Sequence, residues 1–197
     1  MNGNKVMLID LNSCGGCHAC SVSCKAEHRA PLEHYRHRVQ VAEAGVFPHV
    51  KRAFIPALCQ HCTDAPCIQA CPVGAISRKT DGAVIIDHDM CVGSGTCVSA
   101  CPYGAIYMDP ETQLASKCDF CQDRQSEGQE PACVSTCPTE AIRFGNEDDP
   151  EIAQRLKMGT YTTWEPKKST KPLVLYQGLD ETMQQALTRI NAQKGGV

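Results

Sequence analysis

The cysteines of this chain leave it few ways to fold. They fall into four runs of one design. The first, "CGGCHACSVSC", holds Cys14, Cys17, Cys20 and Cys24. The second, "CQHCTDAPCIQACP", holds Cys59, Cys62, Cys67 and Cys71, with two extra residues in its middle gap. The third, "MCVGSGTCVSACPYGAI", holds Cys91, Cys97 and Cys101, and Ser94 stands where the pattern expects another cysteine. The fourth opens with "CDFC" at Cys118 and Cys121 and, after eleven intervening residues, closes with "CVSTCP" at Cys133 and Cys137. Four runs of four slots make sixteen places, and cysteine fills fifteen.

With 15 cysteines in 197 residues and aromatics at only 5%, cysteine replaces part of an ordinary core. A chain of this length forms one or two domains, near the size at which a small domain leans on staples or metals. Three uses of cysteine compete. A disulfide scaffold is usually short, secreted and even in its cysteine count, whereas the count here is odd. Zinc ribbons use paired C-x-x-C hooks, and Cys59/Cys62 or Cys118/Cys121 alone would pass for them. A tetrahedral ion, however, does not call for three cysteines in a row at C-x2-C-x2-C. That spacing, closed by the C-x3-C of Cys20 and Cys24, belongs to runs that bind iron-sulfur clusters.

In a cubane cluster three thiolates of one tight loop each reach a different iron, while the fourth iron lies on the far side. The fourth cysteine of a run therefore serves a neighbouring cluster. Its context repeats as "CPVGAI" at 71–76, "CPYGAI" at 101–106 and "CPTEAI" at 137–142. Proline turns the chain away, glycine or a small residue permits close backbone approach, and Ala-Ile starts a strand. The pattern is an internal repeat of a βαβ-like ferredoxin unit. Run one departs from it, with Lys25 after Cys24.

Runs two and three are contiguous and form one two-cluster module, which leaves runs one and four to pair across it. The expected fold class is α+β: two ferredoxin-like two-cluster modules, the second formed by runs flanking the first, with a C-terminal extension. Residues 1–58 hold the first half of the split module and a connecting segment, 59–108 the contiguous module, 109–145 the second half, and 146–197 a C-terminal interaction segment.

The expected elements around the loops are modest. "KVMLID" leads into run one as a strand, "AISRKTDGAVIID" reads as a hairpin turning at Asp81-Gly82, and "AIYMDPETQLASKC" as another with Pro110 in its turn. Segment 25–58 has few packing residues before Val39 and then alternates like a strand. "DDPEIAQRLKMG" reads as a short helix with a cap-like Asp149, Pro150 at the first helical position and a glycine stop. Leu179, Met183, Ala186, Leu187 and Ile190 share one helical face, set for packing either on the chain's own body or on a partner.

A net charge of -3 gives no basic footprint for nucleic acid. No apolar run approaches the roughly 20 residues that span a bilayer, so no direct membrane span is expected. "MNGNKVMLID" lacks the apolar segment and cleavage site of a secretory signal, and the chain is expected to carry no export address of its own. Nothing pairs a nucleophile with a base, so no bond-making catalysis is expected.

With these motifs in order, including the widened gap from Cys62 to Cys67 and the long gap from Cys121 to Cys133, the chain resembles a known family. It is similar to the four-cluster electron-transfer (beta) subunits of molybdopterin oxidoreductases, as in dimethyl sulfoxide, polysulfide, thiosulfate, tetrathionate and arsenate reductases. The resemblance covers about residues 5–145, and the tail "TTWEPKKSTKPLVLYQGL" also looks like the family's C-terminal segment. It implies that Cys14, Cys17, Cys20 and Cys137 hold one cluster, and Cys118, Cys121, Cys133 and Cys24 another. Cys59, Cys62, Cys67 and Cys101 would hold a third. Cys91, Cys97 and Cys71 remain for the last, beside Ser94.

The implied cofactors are three [4Fe-4S] clusters and one [3Fe-4S]. The alternative is a fourth [4Fe-4S] completed by Ser94 as an extra ligand or by water. The nitrate reductase branch carries a tryptophan at the comparable slot and a three-iron cluster, whereas Gly93 and Gly95 would let the loop close far enough for a serine bond. The implied partners are a large molybdenum or tungsten bis-pterin catalytic subunit and a membrane anchor subunit exchanging electrons with quinone, in anaerobic respiration on a sulfur or arsenic oxyanion. The implied place is peripheral on the bacterial cytoplasmic membrane, on the periplasmic face by co-export with the partner, the alternative being the cytoplasmic face. The rival reading is a free-standing polyferredoxin carrier, which would not need the non-cluster remainder at 25–58 and 145–197.

His18 and His61 lie between cluster cysteines and imidazole does ligate Rieske centres. With full cysteine sets in both runs, they are expected to be partly solvated or to support the ligands from behind. Lys25, Lys117 and Arg124 near the runs read as solvated surface charges, the alternative being that they steer a partner or tune a cluster.

Overall fold

The computed structural model describes residues 3–164 and 170–193. Residues 165–169 of the family-like tail, and both extreme ends of the chain, lie outside the described residues. The element around which the rest is organised is β1 (Lys5–Asp10), the expected leading strand. Val6, Met7, Leu8 and Ile9 are all buried, so both faces of β1 are covered. Alternation along the strand sends Met7 and Ile9 into the main core and Val6 and Leu8 into a smaller cluster with Ile152 and Leu173.

β1 belongs to a four-stranded sheet in the order β8-β1-β10-β9, with β8 at Ile142–Asn146, β9 at Tyr161–Thr162 and β10 at Val174–Gln177. It runs antiparallel to β8, Met7 opposite Phe144, and parallel to β10, Met7 opposite Val174. One sheet thus ties the strand entering run one, the strand leaving run four and the tail.

Each cysteine loop runs into a short helix: α1 (Ala19–Glu27), α2 (Pro66–Ala70), α3 (Thr96–Ala100), α4 (Gln122–Ser126) and α5 (Ala132–Ser135). α1 packs on α5, joining runs one and four, and α2 packs on α3, joining runs two and three. The two expected hairpins form as β4 (Ile76–Arg78) with β5 (Val84–Ile86) and β6 (Ile106–Met108) with β7 (Ala115–Lys117). Both are antiparallel. The repeat unit is therefore a short helix followed by an antiparallel hairpin rather than a βαβ crossover, since the loops between the strands are too short for a parallel return.

Segment 25–58 forms one long hairpin, β2 (His37–Val46) and β3 (His49–Leu58), in register from His37 opposite Leu58 to Val46 opposite His49. Ala42, Ala53, Ile55 and Ala57 are buried, whereas Val46, Phe47 and Val50 near the tip are exposed. α6 (Pro150–Met158) starts on its proline as expected. The Asp149 side chain turns back to accept from the Asn146 N–H (2.7 Å) instead of capping the helix. α7 (Glu181–Gln193) settles the question of the tail face, because Leu179, Met183, Ala186 and Leu187 are buried in this chain's own core.

Candidate metal centres

The third residue of the C-x-x-C or C-x-x-S step that opens each run lies in the left-handed region: Gly16 (φ 66), His61 (φ 45), Gly93 (φ 68) and Phe120 (φ 61). This tight turn brings flanking side chains to one side of the loop. Glycine adopts it freely, and elsewhere it costs strain that the surroundings must hold. At Gly16 a methyl group would also strike the Phe54 ring. Ser94 follows Gly93 on the same turn on which Cys17, Cys62 and Cys121 follow Gly16, His61 and Phe120.

The cysteine-proline turns share a second left-handed position, at Gly74 (φ 67), Gly104 (φ 58) and Glu140 (φ 53). Its consequence is a convergence of backbone N–H groups on sulfur. At Cys71 burial acts to raise the thiol pKa, but the N–H groups of Val73, Ala75, Ile76 and Gly74 outweigh it and the net shift is down. Cys137 behaves alike: burial opposes, while the Thr139 hydroxyl and the N–H groups of Ile142, Thr139 and Ala141 bring the pKa down.

The thiols gather into sets that cross the sequence. Cys14 lies close enough to feel the charges of Cys137 and Cys17, and Cys20 those of Cys14 and Cys137. Cys24 feels Cys121, Cys118 feels Cys24 and Cys133, and Cys133 feels Cys121 and Cys24. One cavity is lined by Cys59, Cys62, Cys67 and Cys101, another by Cys71, Cys91, Ser94 and Cys97. The sets are also neighbours in a line. Cys133 and Cys24 of the second feel Cys20 of the first, and Cys118 feels Cys59 of the third. α2 then carries Cys67 within it and Cys71 of the fourth set at its end.

At the more deeply set thiols burial prevails. It pushes Cys20 and Cys62 up to about 11 and Cys24 and Cys67 up to about 12, with the neighbouring thiols adding to it. Cys118 and Cys133 are raised well above the ordinary thiol range, again by burial first. Fifteen free thiols, most of them resisting ionisation singly, form a donor set that a soft cationic group would convert to thiolates together.

The size of the sets discriminates between metals. A tetrahedral zinc with bonds of about 2.3 Å draws its sulfurs to about 3.8 Å from one another. Among the described residues, the set of three ligand atoms that all lie within 4.8 Å is His28, Asp119 and Cys121, and no three cysteines are that close. The cysteine sets are too open for one ion and fit a polynuclear group.

The supporting residues are mostly ones the sequence did not single out. The Thr170 and Tyr103 hydroxyls hydrogen-bond to Cys62, where burial still prevails, and lie 2.5 Å from each other. The tail straps run two: Thr63 N–H donates to the Lys171 carbonyl (2.8 Å), Asp64 N–H to that of Thr170 (3.0 Å), and Leu173 N–H to that of Gln60 (2.9 Å).

His18 is exposed, whereas His61 is fully buried rather than partly solvated. The His61 ring stacks on Phe120 at 3.5 Å between centroids, and its Nδ1 accepts the Val84 N–H (3.0 Å). Lys117 is only 3% exposed, which corrects the reading of it as a solvated charge. Its Nζ donates to the carbonyls of Val84 and Cys118, and its charge acts on Cys67 and Cys101. Lys25 is also committed, bonding the Pro31 and His34 carbonyls over the Tyr35 ring, and Arg124 pairs with Glu27 (3.1 Å).

Turns, buried thiols and open sets of this kind define a carrier of iron-sulfur clusters. In agreement, the family profile described as 4Fe-4S dicluster domain matches residues 50–147. The chain is 43% identical over 152 residues to the thiosulfate reductase electron transfer subunit PhsB of Salmonella typhi, covering 75% of this chain and 78% of that one. It is 41% identical over 182 residues to the B subunit of tetrathionate reductase from Salmonella typhimurium (89% and 72%). It is 40% identical over 171 residues to the B component of polysulfide reductase from Wolinella succinogenes (84% and 90%). This protein belongs to the family of iron-sulfur electron-transfer subunits of molybdopterin oxidoreductases, and it is not the catalytic subunit of such a complex. No helix among the described residues is long and apolar enough to cross a membrane.

Proposed function

We propose that the chain relays single electrons between a large molybdenum or tungsten bis-pterin catalytic subunit and a membrane quinone-linked subunit of a respiratory reductase acting on a sulfur or arsenic oxyanion. The observation that carries this reading is the linear succession of four thiol sets, each beside the next. Cys14, Cys17, Cys20 and Cys137 hold the first cluster; Cys24, Cys118, Cys121 and Cys133 the second; Cys59, Cys62, Cys67 and Cys101 the third; and Cys71, Cys91 and Cys97 the fourth. When bound, these clusters supply one-electron transfer at potentials between about -700 and +450 mV. The chain's part is to bury the thiols, exclude water and aim N–H and O–H donors at sulfur.

The pairing of α1 with α5 and of α2 with α3 supports two ferredoxin-like modules, 59–108 contiguous and 1–58 with 109–145 split around it, followed by the interaction segment 146–197. The periplasmic face of the membrane, reached by co-export with the catalytic partner, suits the family. Purification under gentle anaerobic conditions should recover the protein in complex with a pterin-containing subunit. A monodisperse monomer would favour a free-standing polyferredoxin.

We assign the fourth cluster as [3Fe-4S]. Thr96 Oγ1 donates to the Ala70 carbonyl (2.8 Å), so the Ser94 hydroxyl 3.2 Å away is the donor to Thr96. A hydroxyl so engaged is a poor substitute for the thiolate that iron favours. The oxidised protein should show a three-iron EPR signal, and Ser94→Cys should abolish it while adding one iron per chain. A Ser94→Cys protein with unchanged iron content and signal would overturn the assignment.

A further inference from the structure

His28, directly after α1, sets its Nε2 3.2 Å from Cys121 Sγ. Its other ring nitrogen, Nδ1, lies 3.0 Å from Arg36 Nη1. A guanidinium donates and never accepts, so Nδ1 is the acceptor, the imidazole is neutral, and its single N–H sits on Nε2, facing the sulfur.

The arrangement is held in place from all sides. Arg36 Nη1 pairs with Asp119 Oδ2 (3.1 Å) and Arg36 Nε donates to Ser116 Oγ (3.2 Å). Asp119 Oδ1 accepts the Cys121 N–H (2.8 Å). A closed circuit runs from the Cys121 amide through Asp119, Arg36 and His28 back to the Cys121 sulfur.

We propose that His28 is a positioning and tuning residue whose N–H···S hydrogen bond to Cys121 raises the reduction potential of the second cluster. The proposal rests on Cys121 being a ligand of that cluster. Reduction adds negative charge that is shared with the ligating sulfurs, and a donor aimed at one of them stabilises the reduced form more than the oxidised. His28, Asp119 and Cys121 are compact enough to suggest a separate ion site. The Arg36 guanidinium, within 3.1 Å of both His28 and Asp119, already fills the cation's place there.

The test is an EPR-monitored redox titration of the full chain in its native complex, comparing wild type with His28→Leu, which has no donor, and His28→Gln, which keeps one. His28→Leu should make one cluster about tenfold harder to reduce, a fall of about 59 mV for one electron, with the other potentials and the iron content unchanged. His28→Gln should recover most of that loss. Pulsed EPR on protein with isotope-labelled histidine should show a nitrogen coupling in the reduced wild type that His28→Leu lacks. Unchanged potentials in His28→Leu, an equal loss in His28→Gln, or loss of iron from either variant would overturn the proposal. Absence of iron-sulfur EPR signals in the wild type would instead overturn the ligand assignment beneath it.

Discussion

Tyr176 anchors the tail strand to the second cysteine run, and Tyr176→Phe removes that anchor while keeping the ring. The side chain is fully buried. Its O–H donates to the Pro56 carbonyl (3.0 Å) and accepts from Gln60 Nε2 (3.1 Å). Gln60 sits between Cys59 and His61, so the phenol braces the loop that presents two thiols of the third set. Two lost hydrogen bonds at about 1 kcal/mol each, plus part of the desolvation cost of a stranded carbonyl, give a destabilisation of about 2–3 kcal/mol. For a chain of this size each kcal/mol moves Tm by about 2–4 °C, so Tm should fall by about 5–10 °C. The assay is anaerobic thermal unfolding of the cluster-loaded chain at one fixed scan rate, followed by circular dichroism and visible absorbance together. Both signals should fall at the lowered temperature, because loop and sheet come apart together. A Tm within about 1 °C of wild type would refute the account of this seam.

Two further perturbations test other parts. His37 on β2 is buried with neither ring nitrogen hydrogen-bonded, and burial pulls its pKa down to about 4. Its contribution to stability is complete above the unfolded value near 6.5. It is lost as pH falls from there toward 4, at about 1.4 kcal/mol per pH unit, because over that window the unfolded chain takes up a proton that the folded chain refuses. His37→Leu should remove one such slope from urea-unfolding free energies measured across this range, and an unchanged slope would contradict the assignment. Lys117→Met removes a buried positive charge that Cys67 and Cys101 both feel. The potential of the cluster proposed for Cys59, Cys62, Cys67 and Cys101 should therefore fall in an EPR redox titration, and an unmoved potential would place the ammonium's influence elsewhere.

The runs, the leading strand and both short hairpins were legible in the sequence because each is local: cysteine spacing, an apolar stretch, and Asp81-Gly82 or Pro110 at a turn. The left-handed turns were half legible. Glycine marks them at Gly16 and Gly93, but His61 and Phe120 adopt the same conformation under tertiary packing, which no local rule reports. Ser94 is conspicuous as a missing cysteine, while its bond to Thr96 depends on Thr96 being held by the Ala70 carbonyl of the neighbouring run. The insertion of β10 beside β1, the strapping of run two by residues 170–173, and the circuit joining His28, Arg36, Asp119 and Cys121 span separations that periodicity does not encode. Lys117 misled for a related reason. A lysine beside a cysteine run reads as solvated, and only the carbonyls of Val84 and Cys118 explain how its ammonium is buried.

Cluster binding by the four thiol sets, as proposed above, has a compositional signature. Its most direct test is the iron, acid-labile sulfide and zinc content of the anaerobically purified protein. The protein should be brown, with iron and sulfide in near-equal amounts and negligible zinc. Zinc bound without sulfide would contradict it.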